Sequence, residues 1–154
     1  MQLFAWLEST TLARTVGESL SLTAWLSAAH LIGFTLVMSG GLICNLRASG
    51  ALLTSQPTES IARPAIRVLA TGLAISLLTG FALFAPRASY TALGGVFQLK
   101  MALLLAAASY QLSLNRTVLR RLDFKPSLLR ASGVMGLLLW ISLALVACWF
   151  ILFE

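Results

Sequence analysis

Charged positions fall in clusters along this chain and leave four long apolar runs between them. Ser19 to Leu46 carries no charged residue, and neither does Val68 to Pro86. Ala88 to Asn115 is broken only by Lys100, and Ala131 to Phe153 is again uncharged. A hydrocarbon core ~30 Å thick is crossed by about 20 apolar residues of helix, so each run is of spanning length. The runs lack the strict alternation of a membrane barrel and are longer than barrel strands. Backbone groups in lipid need partners inside the protein, which leaves helices as the solution. The pattern predicts spans near 21–46, 62–85, 92–116 and 127–152, and a single transmembrane domain over 1–154. The expected fold class is all-α, an integral membrane four-helix bundle.

Local signals sharpen the boundaries. Pro64 and Pro126 stand where the second and fourth helices should begin, because proline suits a first helical turn. Pro86 closes the second helix, and Ala48–Ile61, with Gly50, Ser55, Pro57 and Thr58, reads as a loop. Ahead of the first span, Leu3, Phe4, Trp6 and Leu7 form an apolar cluster followed by Glu8, Arg14 and Glu18. The first charge is negative and no small-residue cleavage site follows a short apolar stretch, so this is not the pattern of a secretory signal. Residues 2–17 are expected as a short helix lying in the membrane interface.

Composition agrees with this reading. Hydrophobic residues make up 58% and charged residues 10%, against roughly 25% charge in a soluble domain. The net charge of +6 sits in short connections beside apolar runs, so it points to lipid and topology rather than to nucleic acid. Arg47, Arg63, Arg67, Arg116, Arg120, Arg121, Lys125 and Arg130 lie on one side, against Arg14 and Arg87 on the other. Loops rich in Arg and Lys stay in the cytoplasm. Both termini are therefore expected outside it, in the periplasm of a bacterial inner (cell) membrane.

Small residues at four-residue spacing give each helix a packing stripe. These are Gly72, Ser76 and Gly80 on the second helix, Ala29 and Gly33, then Gly40 and Cys44 on the first, Ala102 and Ala106, with Ser109 and Ser113 beyond, on the third, and Ser132 and Gly136 on the fourth. Cys44 and Cys148 belong near opposite faces of the bilayer, too far apart for a disulfide. The sequence has no close cysteine pair, no His-x-x-x-His and no acidic cluster, so a self-contained zinc or iron–sulfur site is not expected.

Two ionisable side chains remain inside the spans, His30 and Lys100. Such residues are rare in membranes and usually face the bundle interior. His30 lies nine residues into the first helix and Lys100 eight into the third, or roughly 13 Å and 12 Å at 1.5 Å per residue. Both helices enter from the same side, so the pair is expected at matching depth, facing one interior pocket, with Gln98 and Thr79 in reach. Lys100 could instead snorkel outward along its stem, and His30 could be a neutral core histidine bonded to a backbone carbonyl or a serine. Histidine is also a common axial ligand of haem iron, which makes His30 the one candidate metal ligand; haem b and quinone are the candidate cofactors.

His30, the segment Asn45-Leu46-Arg47-Ala48-Ser49-Gly50, the step Thr79-Gly80-Phe81 and the segment Phe97-Gln98-Leu99-Lys100 form an ordered pattern. It resembles an uncharacterised family of bacterial four-helix inner-membrane proteins, which shows Asp-Leu-Arg where this chain has Asn45-Leu46-Arg47. More distantly it is similar to the copper-resistance D and HemJ-type membrane proteins, which also pair a first-helix histidine with a later lysine. The HemJ-type relatives bind haem b and oxidise protoporphyrinogen, and the copper-resistance relatives are associated with copper uptake. The resemblance implies that His30 is a haem ligand and Lys100 its neighbour or a propionate partner. The leading expectation is a small membrane subunit or accessory protein of an electron-transfer system, holding haem b or quinone near the periplasmic face. The alternatives are a non-catalytic packing subunit of a larger complex and a copper or small-solute transporter. Expected partners are the bilayer, other membrane or periplasmic subunits, or a second copy of the chain.

Overall fold

The computed structural model describes residues 2–119 and 125–153. Among them there are helices and connections but no strand. Two short helices, α1 (Gln2–Glu8) and α2 (Thr11–Glu18), precede the long α3 (Leu20–Ser49) and α4 (Thr58–Phe84). A single 3-10 turn (Ala85–Arg87) leads to the short α5 (Ala88–Leu93), then α6 (Gly95–Leu119) and α7 (Pro126–Phe153). Four stretches are long and apolar enough to cross a membrane: Leu20–Ser49, Thr58–Leu93, Gly95–Arg116 and Pro126–Phe150. Arg120 and Arg121, counted above with the basic loops, and Glu154 lie outside the described residues.

The helix ends follow local chemistry. Ser19 caps α3, its hydroxyl accepting from Leu22 N at 3.3 Å. Gly50, at φ +78°, ends the helix in the left-handed conformation that costs glycine least. Its N–H donates to Arg47 O, and Ala51 N donates to Leu46 O at 3.0 Å. Pro126 opens α7 as its first residue. Pro64 does not open α4, which starts six residues earlier at Thr58. Pro57 occupies the position before that start, and Glu59 and Arg63 pair across the first turn. The third spanning helix also starts later than its apolar run, at Gly95 rather than 92. Gly94 adopts an extended conformation and cuts α5 away as a separate turn and a half.

The α3–α4 pair is the tightest seam, and glycine makes it possible. A Cβ on Gly72 would lie 2.6 Å from both Gly33 O and Val37 N, and one on Gly40 would lie 2.6 Å from Ala65 O. The contacts Gly33–Ser76, Val37–Gly72 and Gly40–Leu69 define an antiparallel register. Helix α7 packs antiparallel on the other flank of α3, with Gly41 against Trp140, Asn45 against Gly136 and Ser49 against Gly133. Val37, Leu69, Ala107, Trp140 and Leu143 form the buried core where the four helices meet.

Helices α1, α2 and α5 cover the end of the bundle that carries both termini. The residues expected as one interfacial helix form two, divided at Ser9–Thr10, where the Thr10 hydroxyl caps α2 by accepting from Ala13 N at 3.3 Å. Ala13 and Val16 face inward, and Ala85 and Ala88 are fully buried. Thr23 Oγ1 donates to Val16 O at 2.8 Å and ties α2 to α3. Glu8 accepts from Ser89 N at 2.7 Å, placing a carboxylate at the positive end of α5. Leu3 and Trp6 stay largely exposed, as an apolar face meeting lipid would.

Candidate functional site

His30 is half-buried on the face of α3 that meets α4. The α3–α4 register that pairs Gly33 with Ser76 brings His30, about one turn nearer the terminal end, onto Thr79 and Gly80. His30 Nδ1 lies 3.1 Å from Thr79 Oγ1. A Cβ on Gly80 would be 2.9 Å from His30 Cε1, so the absent side chain makes room for the ring.

Lys100 comes from α6, which runs parallel to α3. Asn45 bonds Gln111 across these two helices, an offset of 66 residues. Carried about four turns toward the terminal end, that offset puts His30 level with Val96, one turn from Lys100. The lysine is half-buried. Its Nζ stands 5.0 Å from the centre of the Phe150 ring, a cation–π contact that holds the ammonium inside the bundle. Phe150 continues into a chain of rings. It lies 6.1 Å from Phe97, which stacks at 5.3 Å on Phe84, which meets Phe4 of α1 edge-on at 6.2 Å. The aromatic wall thus joins α4, α6 and α7 to the terminal cover. Beside it, between α1 and the end of α4, opens a wholly apolar groove of about 220 Å³, lined by Leu3, Phe4, Trp6, Leu7, Phe81 and Phe84.

Of the residues singled out from the sequence, Thr79 touches His30 directly, and Lys100 stands on α6 within about a turn of its level. Gln98 is placed elsewhere. It is exposed, and its Nε2 donates to Ala92 O at 3.0 Å, closing the break between α5 and α6. Position decides this: Gln98 is two residues from Lys100, which turns it to the opposite face of the helix.

A second polar cluster, unanticipated from the sequence, lies toward the arginine-rich end. Asn45, Gln111 and Trp140 are at most 1% exposed. Asn45 Nδ2 donates to Gly41 O at 2.7 Å and to Gln111 Oε1 at 2.6 Å. Trp140 Nε1 donates to the same Gln111 oxygen at 3.0 Å, while Gln111 Nε2 donates to Asn115 Oδ1 at 2.9 Å. One glutamine therefore binds α3, α6 and α7 together. Asn45 Oδ1 packs against Gly136 and makes no conventional hydrogen bond. Two amides, Gln111 and Asn115, spaced four apart in an apolar span were the available signal.

The chain belongs to a family of unknown function, DUF6644, whose model matches residues 3–153. No curated protein matches the chain, and no solved structure does.

Proposed function

We propose that this DUF6644 member is a small integral membrane subunit or accessory protein of an electron-transfer system. In this reading it holds haem b or a quinone at His30 and Lys100, near the outer face of a bacterial inner membrane. One observation carries the reading. The chain's single histidine and its one mid-span lysine come from different helices to within about a turn of the same level. A histidine serving only as packing needs Thr79 and nothing more. A half-buried lysine near the same level carries a desolvation cost, which a ligand requiring both groups would offset.

The chemistry of the two side chains fits either candidate. His30 can donate a ring nitrogen to iron or hydrogen-bond a quinone oxygen. Lys100 supplies a point charge and hydrogen-bond donors for a propionate or a reduced quinone. The bound cofactor supplies the redox chemistry, and the chain supplies binding, orientation and electrostatics.

A packing subunit is the second reading, favoured by α6. This span has the lowest mean hydropathy of the four and yet is the least buried, 11% against 22–28%. Its small residues Ala102, Ala106, Ser109 and Ser113 all face outward, where another helix could approach closely.

The absorption spectrum of the detergent-purified protein, with extracted quinone measured on the same sample, tests the choice. The wild type should carry a Soret band or co-purifying quinone, and His30→Ala should lose it. Lys100→Met keeps the apolar stem and should weaken retention about tenfold, the worth of one charge-assisted hydrogen bond. A colourless, quinone-free protein that keeps its partner proteins after His30→Ala would leave the packing role.

A further inference from the structure

We infer that Thr79 is a positioning residue that fixes His30 as its Nδ1–H tautomer, so that Nε2 carries a free lone pair for a ligand. The argument is a count of protons. Thr79 has one hydroxyl proton. Its Oγ1 lies 2.7 Å from Ile75 O, a carbonyl that can only accept. The Thr79 proton is therefore committed to its own helix, a bond that Ser76 O at 3.4 Å only reinforces. Toward His30 Nδ1, 3.1 Å away, the hydroxyl can offer only a lone pair. The imidazole must then bring the proton, and the neutral ring is protonated on Nδ1. Gly80 removes the steric barrier to this pose, because its missing Cβ leaves the His30 Cε1 edge against the α4 backbone.

The consequence concerns the class of ligand. With Nδ1 and Cε1 turned onto α4, the ring meets a ligand through Nε2, which accepts but cannot donate. A simple anion held between two donors would not suit this arrangement. The ligand must offer His30 an empty metal orbital or a polarised hydrogen, and must offer the Lys100 ammonium an oxygen. Orientation of a ligating imidazole by a bond to its other nitrogen is how proteins fix metal-binding histidines. This inference deepens the reading of His30 and Lys100 as a cofactor site, and its ligand class rests on that reading. The tautomer itself does not.

His30 is the only histidine in the chain, so nitrogen-15 histidine labelling reports this ring alone. The measurement is made on the full chain in detergent, stripped of any co-purifying cofactor, at alkaline pH where the ring is neutral. The expected spectrum has a proton-bearing Nδ1 and a bare, pyridine-type Nε2. Thr79→Val should let the two signals average or exchange identities, and Thr79→Ser, which keeps the hydroxyl, should restore the wild-type pattern. A proton on Nε2 in the wild type, or a Thr79→Val spectrum identical to wild type, overturns the inference. Because no cofactor is present, this outcome is separate from the absorption test. An Nδ1–H ring in a protein that retains neither haem nor quinone would uphold the role of Thr79 and remove the cofactor site.

Discussion

At the level of single residues, the molecule spends its polar groups in two places with opposite designs. The His30 site leaves bonding capacity unspent, whereas the Gln111 cluster directs almost all of it inward. Gln111 Oε1 accepts from Asn45 and Trp140 at once, so its two lone pairs are occupied by α3 and α7. Replacing Gln111 by leucine would strand both donors in a buried, low-dielectric setting. A stranded donor costs ~1–3 kcal/mol, although interhelical hydrogen bonds in membranes average nearer 0.6 kcal/mol. Two donors stranded together should put Gln111→Leu at a loss of about 2 kcal/mol. Gln98→Leu is the matched control, since Gln98 is exposed and bonds only Ala92 O. Thermal unfolding in detergent should show a clear drop for the first and little for the second; equal melting points would mean that the cluster is inert. The same geometry shows why asparagine suits position 45. Its amide donates to two acceptors, Gly41 O and Gln111 Oε1, where an aspartate would present oxygen to oxygen.

At the level of helices, close approach is concentrated in the α3–α4 seam. Gly72 sits where any side chain would meet backbone rather than a yielding side chain, with Gly33 O and Val37 N both at 2.6 Å from a Cβ. Gly72→Val should therefore force the helices apart and cost about 3 kcal/mol, the upper range for overpacking. Gly95→Ala, where nothing lies within 4 Å, should be neutral or mildly stabilising, and a melting series that failed to separate these two variants would refute the seam argument. The stripe at Gly72, Ser76 and Gly80 was legible in the sequence because only small residues permit that approach. The stripe on α6 was equally legible, but its direction was not: Ala102, Ala106, Ser109 and Ser113 face outward. The reason is physical. In water a helix reveals its inner face by being apolar there, but in lipid both faces are apolar, so periodicity marks spans without marking orientation. The levels of His30 and Lys100 could be read, because depth follows from residue count alone. Thr79 could be named as in reach of His30, but that Gln98 turns away and that Gln111 gathers a cluster depended on rotation about the helix axes, which the residue count does not contain.

At the level of the whole molecule, the two polar clusters and the charges share one axis. Four consecutive antiparallel spans leave both termini at one end, with the α3–α4 loop and the α6–α7 connection at the other. The His30–Lys100 pair sits toward the terminal end, and the Gln111 cluster toward the connections. Exposed Trp6, Trp25, Tyr90 and Trp149 gather near the terminal end, where indole and phenol rings settle at a membrane surface. The described basic side chains of the opposite end include Arg47, whose Nη2 donates to Gln56 O at 2.7 Å, and Arg63, which pairs with Glu59. Pairing of Arg63 with Glu59 does not cancel its effect on topology, because acidic residues contribute little to the positive-inside bias. The bias should accordingly leave the loop at Ser55 in the cytoplasm and Gln2 outside it. Since Cys44 is buried in the bundle and Cys148 lies within the last span, both can be replaced by serine before new cysteines are placed. A membrane-impermeant maleimide added to intact cells should then label Gln2→Cys at once and Ser55→Cys only after the membrane is opened. The reverse pattern would move the His30 site to the cytoplasmic half; labelling of both from one side would break the four-span arrangement on which the similar depth of His30 and Lys100 depends.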